Sequence, residues 1–135
     1  MEWFHLIFGL VLFAVFAATG SHMRADFPDK EAIGQDLRIL MRSRHIYILF
    51  SALIHLALGV YLQMRNQTWQ KTAQCFGSFL LTLSSVLLVW AFVVETYQFQ
   101  NFSNVSRWGI YTALGGIVFH LVGGIHRQRT ANTSS

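Results

Sequence analysis

The chain has 135 residues, of which 53% are hydrophobic and 12% charged, whereas about 25% of the residues of a soluble domain are charged. This composition predicts a membrane protein with the lipid bilayer as its partner, and we expect no nucleic-acid binding from the net charge of +4. Cys75 is the only cysteine, which excludes an intramolecular disulfide and CxxC redox or zinc chemistry.

The first uncharged run covers residues 3–19. Its length lies at the short end of the roughly 17–25 residues that span a bilayer. A cleaved signal peptide is the rival interpretation, but Met1 and Glu2 precede the run without any Lys or Arg. We therefore expect a retained membrane helix.

The segment from Arg24 to Arg44 is polar and holds four of the six acids. Pro28 is placed to open a helix, and basic residues lie in the last turn. Apolar residues recur at helical spacing at Ile33, Leu37, Leu40 and Met41. The pattern predicts a short amphipathic helix on the membrane surface that bends into the second span.

The second span is predicted over residues 46–62, which hold no Asp, Glu, Lys or Arg. The third is predicted over residues 75–94 and the fourth over residues 108–125, whose glycines are Gly109, Gly115, Gly116, Gly123 and Gly124. Glycines at this density let helix backbones approach closely, or leave room for a flat ligand.

These four runs predict an all-α membrane protein, an up-down-up-down bundle formed by residues 1–126, with a polar tail at 127–135. With the amino terminus outside, the cytoplasmic loops would hold six basic residues against four on the other side. The positive-inside rule therefore places both termini outside the cytoplasm.

Two histidines are predicted at similar membrane depth, His55 roughly 14 Å below Ile46 and His120 roughly 18 Å below Trp108. One hypothesis is a haem b with these histidines as axial ligands and with clearance provided by Gly116 and Gly123. The alternatives are hydrogen bonds to Ser or Thr of other helices, with the glycines serving close packing, and a different metal.

The third span carries hydroxyl groups at Ser78, Thr82 and Ser85, which share one helical face. Such a stripe marks a face packed against other helices or, as the alternative, a polar path. We expect these side chains to point inward with His55 and His120.

A second constellation is predicted where the third helix ends, at Glu95. We expect a structural charge network in which this carboxylate pairs with a nearby cation, because an unpaired charge there is costly. Its members are Arg42, Arg44, His45, Glu95 and Arg107. A divalent metal held by His22, His45 and Glu95 is the alternative. His5 and His126 fall on the opposite face, and we assign them no role.

The sequence contains no nucleophile elbow, P-loop, HExxH motif or dinucleotide fingerprint. We therefore expect no catalysis, and a protein that acts by helix packing, as an accessory subunit of a membrane complex or as a self-assembling bundle. Haem-dependent electron transfer across the membrane is the alternative. A proton or ion path is the third possibility.

Overall fold

The computed structural model of the protein describes residues 1–26, 34–62, 67–97 and 104–124, without the side chains at 26 and 95–97. Four helices make up these ranges, and no strand occurs in them. They are α1 (Glu2–Asp26), α2 (Gln35–Tyr61), α3 (Thr68–Tyr97) and α4 (Asn104–Gly124). The predicted all-α class is confirmed.

All four helices begin before the predicted spans, and α1 and α3 also end beyond them. An uncharged run marks only the stretch that suits the hydrocarbon core, whereas backbone hydrogen bonds continue through polar residues. For the same reason the predicted surface helix is not a separate element where it is described, because residues 35–44 form the first turns of α2. Pro28, which was expected to open that helix, lies outside the described residues.

Three helices are long and apolar enough to cross a membrane, over Glu2–Ala25, Gln35–Tyr61 and Thr68–Val94. Among the described residues, α4 does not meet the same criterion. The described part of α4 ends at Gly124. Three candidate spans nevertheless identify a membrane protein.

The bundle is built from two closely packed antiparallel pairs, α1 with α2 and α3 with α4, which meet mainly along α2 and α3. Glycines set the close approach. A Cβ at Gly59 would lie 2.7 Å from the backbone nitrogen of Leu6, and one at Gly116 would lie 2.9 Å from the backbone oxygen of Gly77. Only a residue without a side chain fits at these two positions.

Large apolar side chains cover the outside of all four helices, as a membrane protein requires. The exposed ones include Ile7, Leu10, Val11, Phe50, Leu53, Val60, Phe79, Val86, Val93, Leu114, Val118 and Leu121. The interior combines apolar residues such as Ile48, Ala91 and Phe92 with buried histidine and serine side chains. This distribution places the candidate site inside the bundle.

Candidate functional site

Five polar side chains, at least one from each helix, meet inside the bundle. They are His5 of α1, His55 of α2, Ser78 and Ser85 of α3, and His120 of α4, and we call them the histidine cluster. His5 and His55 have no exposed surface, and Ser78 and Ser85 are each 2% exposed. His120 is half-buried.

The cluster is one continuous chain of hydrogen bonds. Ser85 Oγ lies 3.2 Å from His55 Nε2. The Nδ1 atoms of His55 and His5 are 2.8 Å apart. At the other side of its ring, His5 Nε2 lies 2.8 Å from Ser78 Oγ, which in turn lies 3.1 Å from His120 Nε2. All four helices are therefore joined through two serines and three imidazoles.

Glycine packing places these side chains. Gly9 and Gly59 allow α1 and α2 to approach closely, which sets the register that brings His5 next to His55. On the other pair, a Cβ at Gly77 would lie 2.8 Å from Cδ2 of His120. A side chain at residue 77 would therefore clash with this imidazole and displace it from its hydrogen bond with Ser78.

The hydroxyl stripe of α3 faces inward at Ser78 and Ser85, as predicted. Thr82 is half-buried and donates to the backbone oxygen of Ser78, so it bonds within its own helix. Ser84, which the prediction omitted, is 1% exposed and donates to the backbone oxygen of Gly109 on α4. The buried hydroxyl face is therefore wider than the stripe.

The predicted haem ligands do not face each other directly. His55 and His120 bond to Ser85 and Ser78, respectively, and the His5 ring and Ser78 occupy the path between them. These bonds are the ones expected under the alternative to haem ligation, in which the two histidines hydrogen-bond to Ser or Thr of other helices.

The glycines assigned to haem clearance instead pack against α3. A Cβ at Gly116 would lie 2.7 Å from Leu81 Cγ, and one at Gly123 would lie 3.1 Å from the backbone oxygen of Gln70. The described geometry gives the haem hypothesis no support.

The assignment of no role to His5 is wrong, because this residue is the centre of the cluster. Local sequence offered no signal at position 5. The antiparallel pairing of α1 and α2 could have indicated it. Residue 5 and residue 55 are at similar distances in sequence from the connection between residues 26 and 35, so the pairing brings them to the same level of the bundle. His126, to which no role was assigned either, lies outside the described residues.

The second constellation is described only in part. His45 is stacked on Phe16 with ring centroids 4.0 Å apart, and its Nδ1 lies 3.1 Å from Thr19 Oγ1. His22 is exposed. Since the side chain of Glu95 lies outside the described residues, the metal site that includes it stays a prediction. No group of three His, Cys, Asp or Glu is placed to hold a metal ion in the described part of the chain.

The predicted charge network is also described only in part, because the side chain of Glu95 lies outside the described residues. Of its arginines, Arg44 is buried at 4% exposure, whereas Arg42 and Arg107 are exposed. A buried guanidinium beside the end of the membrane span favours a compensating carboxylate nearby. The pairing of Glu95 with any of these cations stays a prediction.

Comparison with known proteins adds no relative to this geometry. No family of known proteins matches the chain, and neither a curated protein nor a solved structure is similar to it. The histidine cluster is therefore the feature from which a function has to be inferred. It offers hydrogen bonding between helices and proton exchange along the chain of imidazoles and hydroxyls.

Proposed function

We propose that all four helices of this protein cross the membrane, α4 included. Gly109, Gly116 and Gly123 of α4 are buried. The large apolar side chains exposed on α4 follow its whole length, at Trp108, Tyr111, Leu114, Val118, Leu121 and Val122. The surface that would meet lipid is therefore more apolar than the average composition of the helix.

The length of α4 supports the same proposal. It has 21 described residues, which at 1.5 Å per residue make about 31 Å, close to the ~30 Å of the hydrocarbon core. Exposed aromatic residues also fit two membrane interfaces. Trp3, Tyr61 and Trp69 lie at one end of the bundle, and Trp108 lies at the other.

Accessibility labelling tests the topology. In a Cys75→Ser background, Gln67→Cys and Ser135→Cys should react with a membrane-impermeant maleimide from one side, and Gly34→Cys from the other. Both termini are expected outside the cytoplasm. Labelling of Ser135→Cys from the same side as Gly34→Cys would show that α4 does not cross.

Within the membrane, the protein acts by association of helices and not by catalysis of its own. The observation that carries this proposal is the contrast between the inside and the outside of the bundle. The buried histidine and serine side chains of the cluster bond to one another, while the outer surface presents large apolar groups. Such a molecule suits packing in a bilayer, with a second copy or as a subunit of a larger membrane complex.

The connections between described helices support the same function. The segments between α1 and α2, α2 and α3, and α3 and α4 are each shorter than ten residues, which is too short for a soluble catalytic domain. We expect crosslinking in native membranes and native mass spectrometry in mild detergent to give a discrete oligomer or a co-purifying membrane protein. A strict monomer without any partner in both measurements would contradict the proposal.

A further inference from the structure

The hydrogen bonds of the histidine cluster determine which ring nitrogen of each neutral histidine carries the proton, starting from the hydroxyl of Ser85. This hydroxyl donates its only proton to the backbone oxygen of Leu81, 2.9 Å away. Ser85 Oγ is then an acceptor towards His55, so His55 must carry its proton on Nε2.

The remaining protons follow one another along the chain. A neutral His55 with its proton on Nε2 accepts at Nδ1, so His5 must donate from Nδ1. A neutral His5 then accepts at Nε2 from the Ser78 hydroxyl. Since the only hydroxyl proton of Ser78 is donated to His5, the Ser78 oxygen accepts from Nε2 of His120. In the neutral cluster every bond therefore points from His120 towards Ser85.

This one-way order makes the cluster competent to take up one further proton. A proton that binds Nδ1 of His120 allows the Nε2 proton of His120 to move to Ser78 Oγ. The original Ser78 proton moves to His5 Nε2, and the Ser78 hydroxyl then donates to the bared Nε2 of His120. One proton has entered, no bond between heavy atoms has changed, and the positive charge resides on His5.

The position of His5 offers that imidazolium an acceptor on each side of its ring. Its two N–H groups would face Nδ1 of His55 and Oγ of Ser78, both at 2.8 Å, so each has an acceptor. The titratable groups that act on His5 are His55 of α2, His120 of α4 and the amino group of Met1, and each of these would repel an imidazolium at His5 when it is itself protonated. From α3, the groups in the cluster are hydroxyls, which carry no charge.

We infer that the histidine cluster is a proton-binding site within the bundle, in which Ser78 relays one proton from His120 to the His5–His55 pair. The chain stops at Ser85, whose hydroxyl is held by a backbone carbonyl. The cluster is therefore a site with one entrance and not a path across the membrane. This property belongs to the inside of the bundle and does not depend on the proposed association of its outer surface.

Nitrogen-15 solid-state NMR of histidine-labelled protein in phosphatidylcholine bilayers tests the inference, with signals assigned by single His→Gln variants. At pH 8 the expected tautomers are Nδ1–H for His5 and Nε2–H for His55 and His120. On acidification, one imidazolium should appear in the His5–His55 pair while His120 changes from the Nε2–H to the Nδ1–H tautomer. Nε2–H on His5 at pH 8, or an imidazolium forming on His120 without that change, would overturn the inference.

Two serine variants separate the relay from general damage to the bundle. Ser78→Ala should abolish the tautomer change of His120, so that His120 and His5 gain protons independently. Ser84→Ala removes an equally buried hydroxyl from the same helix, but one that bonds to Gly109, and it should leave the change intact. A wild-type response in Ser78→Ala would contradict the relay. If that variant does not fold, the wild-type tautomers alone decide.

Discussion

His5 and His55 face each other through their Nδ1 atoms at 2.8 Å, and neither imidazole is exposed. Fifty residues separate the two in sequence. The contact holds the start of α1 against the last third of α2, and Ser78 extends it to α3 and α4. It therefore joins the α1–α2 pair to the α3–α4 pair, which otherwise meet mainly along α2 and α3.

Replacing His5 should weaken this connection. His5→Phe keeps an aromatic ring of similar size but removes both nitrogens, which leaves Nδ1 of the buried His55 without its partner. We expect a loss of about 1–3 kcal/mol in the free energy of unfolding. Thermal or denaturant unfolding in one detergent measures it, and Tyr61→Phe, at an exposed position, should change it by no more than about 0.5 kcal/mol.

The companion variant His55→Phe extends the same test. If His5 and His55 act as a pair, the double variant should lose less stability than the two single losses added together, because the second substitution removes a bond that is already broken. Equal losses for His5→Phe and Tyr61→Phe would contradict this role of His5.

Two adjacent glycines of α4 should respond in opposite ways to alanine. At Gly116 the new Cβ would lie 2.7 Å from Leu81 Cγ and 2.9 Å from the Gly77 backbone oxygen, so α3 and α4 would have to separate. We expect Gly116→Ala to destabilise the bundle by about 1–3 kcal/mol. At Gly115 the nearest atom, Leu80 Cδ1, is 3.6 Å away, and Gly115→Ala should be neutral or stabilising by up to about 1 kcal/mol.

Helix content and unfolding temperature, measured side by side for the two glycine variants, check this prediction. Both substitutions add the same methyl group to the same helix, so lipid composition and intrinsic helix preference cancel. Destabilisation of the two variants to the same extent would show that α4 does not pack on α3 through Gly116.

Glu95 is the only acid after Asp36, and we expect it to matter for folding. A carboxylate near the carboxyl end of a helix is disfavoured by the helix dipole, so a cation has to compensate it. Glu95→Gln should cost about 1–3 kcal/mol. Arg44→Gln or Arg107→Gln should cost less in that background than alone. Thermal unfolding of the single and double variants measures this, and strictly additive losses for both arginines would rule out the pairing.

Haem binding makes a spectroscopic prediction. Because His5 and Ser78 fill the path between His55 and His120, protein expressed with ample haem should show no bis-histidine Soret band. Absorption spectra of the purified protein check this. A Soret band that disappears in both His55→Ala and His120→Ala would restore the electron-transfer hypothesis and would require the cluster to open around the cofactor.

The sequence alone predicted much of the architecture. Long uncharged runs identified the helices and the membrane, because burying a charge in lipid is costly and charged residues are therefore rare throughout a span. The same reasoning predicted that His55 points inward, since an imidazole facing lipid would lack a hydrogen-bond partner. Helical spacing likewise predicted that Ser78 and Ser85 share the buried face of α3.

Only the tertiary structure decided what these polar residues meet. His5 looks like an ordinary residue near a helix end, and its place at the centre of the cluster depends on the register of α1 against α2. Gly59 and Gly116 set such registers by backbone contact between helices, which no local pattern encodes. The hydrogen-bond partner of each imidazole likewise depends on short distances between residues that are far apart in sequence. A helix shifted by a single residue would lose such a bond.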